Sequence, residues 1–201
     1  RRYAERDQTV ESGPLPRMPK AVPVALLCAD WHLSHKPSIA RSGEEDWYKA
    51  QNRILLQVKE IQSQCSKGQT DLLPIIIPGD IFDDGWRAHK CPPELINAAF
   101  RMMPENTYAV PGNHDLPHHR YEDAKKSAYW TLAEMRAITD VHPDYAIEIE
   151  SNGYTLRLWG FPYGVPDKPN KHKLDMMIEI AIVHDYCWIP DKSYSNAPTE
   201  K

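Results

Sequence analysis

Carboxylate, imidazole and amide side chains directly follow several short apolar runs of this sequence. The runs at residues 24–29, 75–78 and 108–110 precede Asp30 and His32, Asp80, and Asn113, His114 and Asp115, respectively. A fourth run, at residues 178–183, precedes His184. Ligands of open α/β sheets bind at the carboxyl ends of the strands, so the position of these side chains matters as much as their type. The pattern predicts one site assembled from four strand ends.

The donor atoms offered there indicate a metal centre with two ions. Five side chains supply oxygen or imidazole nitrogen: Asp30, His32, Asp80, Asn113 and His184. This mixed set suits Mn²⁺, Fe²⁺ or Zn²⁺ better than Ca²⁺, which takes oxygen only, or structural Zn²⁺, which prefers thiolate. Five ligands are too many for one catalytic ion with an open position, but they fit two ions about 3.5 to 4 Å apart that share a carboxylate. Each piece alone also has an ordinary explanation, such as a buried, hydrogen-bonded histidine for His184.

The elements that must position these residues alternate between strands and helices. Strands are predicted at residues 22–29, 72–77 and 108–110, and helices at 46–65, 93–103 and 124–137. Period-two alternation around a Ser-Asn-Gly turn predicts a hairpin of residues 145–149 and 154–159, and the last strand is predicted at 178–183. The apolar positions of the first helix predict an inner face of Trp47, Ala50, Ile54, Val58, Ile61 and Cys65. This order favours an α/β fold in layers, with a mixed two-sheet core flanked by helices.

The composition is that of an ordinary globular protein. The 201 residues are 41% hydrophobic and 26% charged, and the formal net charge of −4 gives no broad basic footprint for nucleic acid. Residues 1–20, which are rich in proline, predict an extended arm, and residues 21–201 predict one domain. Four cysteines without CxxC spacing, Cys28, Cys65, Cys91 and Cys187, and the lack of a long apolar run predict a cytoplasmic protein with reduced thiols and no membrane span.

The motifs together resemble those of a known family. Asp30-x-His32, Gly79-Asp80-x-x-Asp83, Gly112-Asn113-His114-Asp115 and His184 are similar to the signature of the calcineurin-like metallophosphoesterases, over residues 22 to about 185. The resemblance implies the layered αββα fold of that family. It also implies a first metal on Asp30 and His32, a second on Asn113 and His184, and Asp80 bridging the two. The expected ions are Mn²⁺ first, with Fe²⁺, Zn²⁺ or Mg²⁺ as alternatives.

The resemblance assigns a separate role to the residues after Asn113. His114 would be an imidazole that binds no metal, steadies the transition state and protonates the leaving oxygen. Asp115 would orient that imidazole.

The neighbouring residues look most like those of SbcD-type DNA-repair exonucleases and their phage-like relatives. Protein phosphatases of the superfamily carry Arg-Gly after the second Asp of the Gly-Asp motif and Glu after the His, whereas this chain has Asp84-Gly85 and Asp115. The resemblance therefore implies DNA as substrate and allows an ATPase partner subunit. Two alternatives stay open: a phosphatase or phosphodiesterase acting on a small nucleotide or phosphoester, and a metal-depleted binding scaffold.

One family motif is missing from the sequence. A Gly-His-x-His segment normally follows, and no histidine comes after His184. We expect that the chain was cut before this motif, and that the loss weakens metal affinity and activity. Among the aromatic residues, Trp31 and Trp86 on loops near the site could stack on bases or pack inward, whereas Tyr129 and Trp130 are expected in the core. The loop histidines His89, His118 and His119 are expected to be solvated.

Overall fold

Two β-sheets lie at the centre of the protein. The computed structural model describes residues 21–165 and 177–185, and the predicted arm at residues 1–20 and Cys187 lie outside these ranges. The strands are β1 (Leu26–Leu27), β2 (Ile75–Ile77), β3 (Thr107–Ala109), β4 (Thr139–Asp140), β5 (Ile147–Ser151), β6 (Tyr154–Phe161) and β7 (Met177–Val183). The helices are α1 (Trp47–Cys65), α2 (Pro93–Met102) and α3 (Ala128–Glu134). Within the described ranges no helix has the length and apolar character needed to cross a membrane.

The first sheet is parallel, in the order β1-β2-β3-β4. Its strands therefore all present their carboxyl ends at the same edge. The predicted first strand, residues 22–29, is confirmed only at Leu26–Leu27, and the prediction that it is buried was wrong for Leu27, which is 73% exposed. The physical reason is that β1 pairs with β2 on one side and lies at the border of the described sheet. The two-residue strand β4 was not predicted, because it is too short to show a period.

The second sheet contains the predicted hairpin and one further strand. Antiparallel β5 and β6 are joined at Asn152 and Gly153, both with positive φ, which confirms the turn. β7 runs parallel to β6, with Val183 opposite Phe161. On the exposed face Arg157 makes ion pairs with Glu148 (2.6 Å) and Glu179 (3.4 Å).

Alternate residues of β2 face two different hydrophobic layers. Ile75 and Ile77 pack with side chains of all three helices, whereas Ile76 packs against Leu156 and Leu158 of the second sheet. Successive side chains of a strand point to opposite faces, so a strand covered on both faces is a continuous apolar run. The predicted α/β class, with two packed sheets and flanking helices, is confirmed.

Helix α1 has the predicted bounds but a different buried face. Asp46 caps it by accepting a hydrogen bond from the Lys49 N–H (3.0 Å). The predicted inner residues Ile54 and Ile61 are 52% and 49% exposed, while Gln51 and Gln62 are buried. The prediction was wrong here because the two amides hold loop carbonyls.

The buried amides of α1 bind two separate loops. Gln62 Nε2 donates to the carbonyls of Leu73 (2.7 Å) and Glu105 (2.8 Å), and Gln51 bonds with Ser34. A hydrophobic period does not reveal such bonds, which satisfy polar groups at the helix–loop boundary.

The third predicted helix, residues 124–137, is divided. A 3₁₀ segment (Tyr121–Lys126) ends at Ser127, whose hydroxyl then caps α3 by accepting from the Trp130 N–H (3.3 Å). The prediction of a single helix was wrong, because the Ser127 side chain hydrogen-bonds to backbone groups that a continuous helix would use. Tyr129 is fully buried as predicted, and its hydroxyl lies 2.9 Å from the Ala109 carbonyl and 2.6 Å from Asp140.

We predict that Gly160→Ala destabilises the protein by about 1–3 kcal/mol, the usual cost of overpacking. Gly160 lies on β6, where an added Cβ would overlap the carbonyl oxygen of Val141 and press on Val110 of the neighbouring layer. Chemical denaturation measures the effect. The matched control is Gly43→Ala, where a Cβ meets no atom within 4 Å. Equal free energies of unfolding for the two variants would contradict the tight sheet-to-sheet contact.

Candidate metal centre

Asp80 lies at the centre of the predicted site. Its side chain belongs to two groups whose potential ligand atoms all lie within 4.8 Å of one another: His32, Asp80 and His114, and Asp30, Asp80 and His184. Asp80 is 4% exposed, and its Oδ2 lies 3.8 Å from His32 Nε2 and 3.5 Å from His184 Nε2. These gaps are long for hydrogen bonds but suit two ligands that each lie about 2.0–2.2 Å from a shared ion.

His184 and Asn113 complete this ligand cluster, which we define as Asp30, His32, Asp80, Asn113 and His184. The Nδ1 of His184 faces the Pro78 carbonyl, so a neutral ring carries its proton there and leaves Nε2 as an acceptor. That Nε2 lies 2.9 Å from Asn113 Oδ1 and 3.5 Å from the Asp80 carboxylate. Three acceptors therefore converge without a donor between them. A cation satisfies all three, so the residues fit a divalent metal.

His32 gives a second observation that fits a metal site. Its Nδ1 is buried and makes no hydrogen bond within the described structure, with the nearest ion-pairing oxygen, Oδ1 of Asp83, at 3.8 Å. Imidazoles that bind metals usually have a partner on the other nitrogen that fixes the ring. Asp83 is the candidate for that partner because its carboxylate is the nearest one to Nδ1.

The backbone around the ligands is strained and closely packed. Asp30, His32 and Asp80 have φ values of 52°, 45° and 52°, in the left-handed region that residues other than glycine seldom adopt. Gly79 and Gly112 lie against each other, where a Cβ on Gly112 would overlap Asp80 Oδ1 and one on Gly79 would overlap the His184 ring. Such outliers cluster at functional sites, where the surrounding structure holds them.

The loops after β2 and β3 are tied together through Asp80 and Asp83. The His114 N–H donates to Asp80 Oδ1 (2.9 Å), and the His114 ring Nδ1 lies 3.1 Å from the Asp83 carbonyl oxygen. The Asp83 carboxylate oxygen is 3.8 Å from the same nitrogen. Sequence reasoning quoted Asp83 in its motif but gave it no role. Its three-residue spacing after Asp80 was the available signal.

Asp115 lies beneath the site instead of beside the His114 ring. Its carboxylate is fully buried and accepts hydrogen bonds from the backbone N–H groups of Phe82 (2.9 Å), Gly112 (3.1 Å) and Ile81 (3.2 Å). Burial raises the pKa of Asp115 to about 7, against the lowering effect of these three bonds. The described bonds of this carboxylate join two loops, and Asp83 contacts the imidazole, so an orienting role of Asp115 stays a prediction.

The loop histidines near the site differ in their contacts. His119 is exposed, as predicted, and its ring also bonds to the Asn113 carbonyl (2.8 Å). His118 packs on Trp86 with ring centroids 4.7 Å apart, and His89 is exposed as predicted.

Two packed sheets that place a carboxylate between candidate imidazole ligands at the strand ends are consistent with a metal-dependent hydrolase. The sequence matches the family model of the calcineurin-like phosphoesterases over residues 24–199, and the protein belongs to this family. It is therefore a metal-dependent phosphoesterase by family and by its candidate ligand groups. A search of curated proteins found no significant match.

We predict that Asp115→Asn lowers the free energy of unfolding by about 2–4 kcal/mol. An amide NH₂ in place of one oxygen would face backbone donors and leave at least one of them buried without an acceptor, at about 1–3 kcal/mol per group. Urea denaturation measures the change.

Asp123→Asn is the control for Asp115→Asn. Asp123 pairs with Lys126 at the surface, and we expect its replacement to leave stability nearly unchanged. If Asp115→Asn unfolds at the wild-type urea concentration, the carboxylate does not hold the two loops.

Proposed function

We propose that this phosphoesterase is a nuclease that hydrolyses DNA phosphodiester bonds. The observation that carries the proposal is the shared position of Asp80 in two groups of potential ligands, one of which includes the His114 imidazole. The ligand cluster would hold two divalent ions, with Mn²⁺ as our first choice. When bound, such ions neutralise the phosphoryl oxygens and lower the pKa of an attacking water.

The roles of the protein groups follow from their positions. A hydrogen bond from His114 Nδ1–H to the Asp83 carbonyl directs Nε2 away from the loop, and the Asp83 carboxylate lies 3.8 Å from the same nitrogen. A protonated Nε2 can then give its proton to the leaving oxygen. Asp115 keeps the two loops in register while the charge on the phosphoryl group changes.

Two observations bear on the substrate, the first against a phosphoprotein and the second against a small phosphoester. The residues that follow Asp83 and His114 differ from the protein-phosphatase pattern, as the sequence shows. The site is also open at its surface, since the side chains of His32, Asp83 and His114 are 37%, 48% and 39% exposed. An open rim admits the backbone of a long polymer.

We predict that His114→Gln and Asp80→Asn separate catalysis from metal binding. His114→Gln is expected to lower kcat about 10²–10⁴-fold, the usual contribution of a general acid, with metal content unchanged. Asp80→Asn is expected to lose bound metal as well as activity, because it removes the charge shared by both groups. The measurements are nucleotide release from linear DNA at saturating Mn²⁺ and metal content by mass spectrometry.

His142→Gln is the matched control, since the His142 ring stacks on Tyr145 outside the ligand groups. Loss of metal in His114→Gln would make that imidazole a ligand instead of an acid. Hydrolysis of small phosphoesters but not DNA would favour the phosphatase alternative. Absence of both metal binding and hydrolysis would favour the scaffold.

A further inference from the structure

A cavity of about 400 Å³ lies beside the ligand cluster, between the loop at residues 31–41 and helix α1. We call it the loop–helix cavity. His32 of the ligand cluster and the neighbouring Asp83 are among its lining residues, so the cavity borders the candidate metal centre. Its volume lies within the range of about 300–1,000 Å³ that is typical of small-molecule sites. Part of any substrate held at the ligand cluster can therefore extend into it.

Aromatic and aliphatic side chains form much of the cavity wall. They are Trp31, Leu33, Trp47, Ile54 and Leu55. Ile54, which lines the cavity, is 52% exposed and so leaves apolar surface uncovered there. Such a wall favours a flat, apolar group, and it is unsuited to a fully hydrated one.

Trp47 lines the cavity and is held in a fixed orientation. Its indole Nε1–H donates to the Ser34 carbonyl (2.9 Å), so the donor is used within the protein. The Arg41 guanidinium lies 5.5 Å from the ring centroid and bonds to Glu44 (2.8 Å). Trp47 thus contributes a π surface with little loss of side-chain freedom on binding.

The polar groups on the cavity floor are paired with each other. The Ser34 N–H donates to Gln51 Oε1 (2.8 Å), and Gln51 Nε2 donates back to the Ser34 carbonyl (3.1 Å). Because these polar groups already have partners, we expect the cavity to select an occupant by its shape and by stacking instead of by hydrogen bonds. The basic side chains of Lys36 and Arg41, both exposed, lie at the rim, where an anionic group would remain solvated.

We propose that the loop–helix cavity is a subsite for an unpaired nucleobase of the nucleotide whose phosphate lies at the ligand cluster. This inference rests on the proposed function and specifies its substrate as a single-stranded or frayed DNA end. A base stacks on aromatic faces whatever its identity, which fits a cavity whose polar groups are already paired, and the exposed Lys36 suits the adjoining phosphate. A phosphorylated serine has no flat group to fill the cavity.

Binding of two product-like ligands tests the subsite without turnover. Deoxyadenosine 5′-monophosphate and 2-deoxyribose 5-phosphate carry the same phosphate, and only the first has a base. Calorimetry with Mn²⁺ present, together with tryptophan fluorescence with and without the ion, is expected to show at least about tenfold tighter binding of the nucleotide, as base stacking provides. Thymidine 5′-monophosphate should show a similar preference.

The variants Ile54→Glu and Ile61→Glu form a matched pair on α1. Both isoleucines are about half exposed, but only Ile54 lines the cavity. We expect Ile54→Glu to lose the tenfold preference for the nucleotide and Ile61→Glu to keep it. Trp47→Phe, which retains an aromatic face, should keep more of the preference than Trp47→Ala. Circular dichroism of each variant verifies the fold.

Equal binding of the two ligands, no binding of either, or equal effects of the isoleucine variants would overturn the subsite. So would a phosphoserine peptide that binds as tightly as the nucleotide. DNA hydrolysis without a base preference would leave the proposed nuclease intact and remove only the subsite. A base preference without any hydrolysis of DNA would retain the subsite and remove the nuclease.

Discussion

The buried carboxylate of Asp115 is the interaction on which the site geometry depends. It accepts one backbone N–H from Gly112 and two from Ile81 and Phe82, so a single side chain joins the turns after β2 and β3. These turns carry most of the candidate catalytic groups. The desolvation that raises the pKa of Asp115 to about 7 shows that this connection is made against an unfavourable burial of charge. A neighbouring divalent ion at Asp80 would reduce that cost.

A second constraint is the closeness of the two sheets at the site. Gly79 and Gly112 allow the loop backbones to approach each other, and the ring of His184 lies directly against Gly79. His184 follows β7 of the second sheet, whereas Asp80 follows β2 of the first. The left-handed backbone at Asp80 costs about 1–2 kcal/mol for a residue other than glycine, and it turns the carboxylate toward both imidazoles. The layered core thus supplies the rigidity that this strained loop requires.

Much of this arrangement could be predicted because local sequence and position agree. The apolar runs that end in Asp80, in Asn113 and in His184 correspond to strands, and the hairpin at Asn152 and Gly153 follows from turn chemistry. The prediction failed where a polar side chain forms hydrogen bonds that the hydrophobic pattern does not reveal. Gln51 and Gln62 replace apolar residues on the buried face of α1, because loops separated from them in sequence need their amides. Ser127 likewise divides a helix whose apolar period continues past it.

The sequence by itself determined the family and the two-sheet α/β class, and it supplied the set of candidate metal ligands, because motif residues follow apolar runs in a fixed order. Only the tertiary structure decided which of these side chains contact each other. It placed Asp83 at the His114 ring and Asp115 beneath the loops, although Asp115 is the sequence neighbour of His114. It also joined a tryptophan-lined cavity to the ligand cluster. The reason is that adjacent residues in a turn point in different directions, so sequence proximity does not decide which side chains meet.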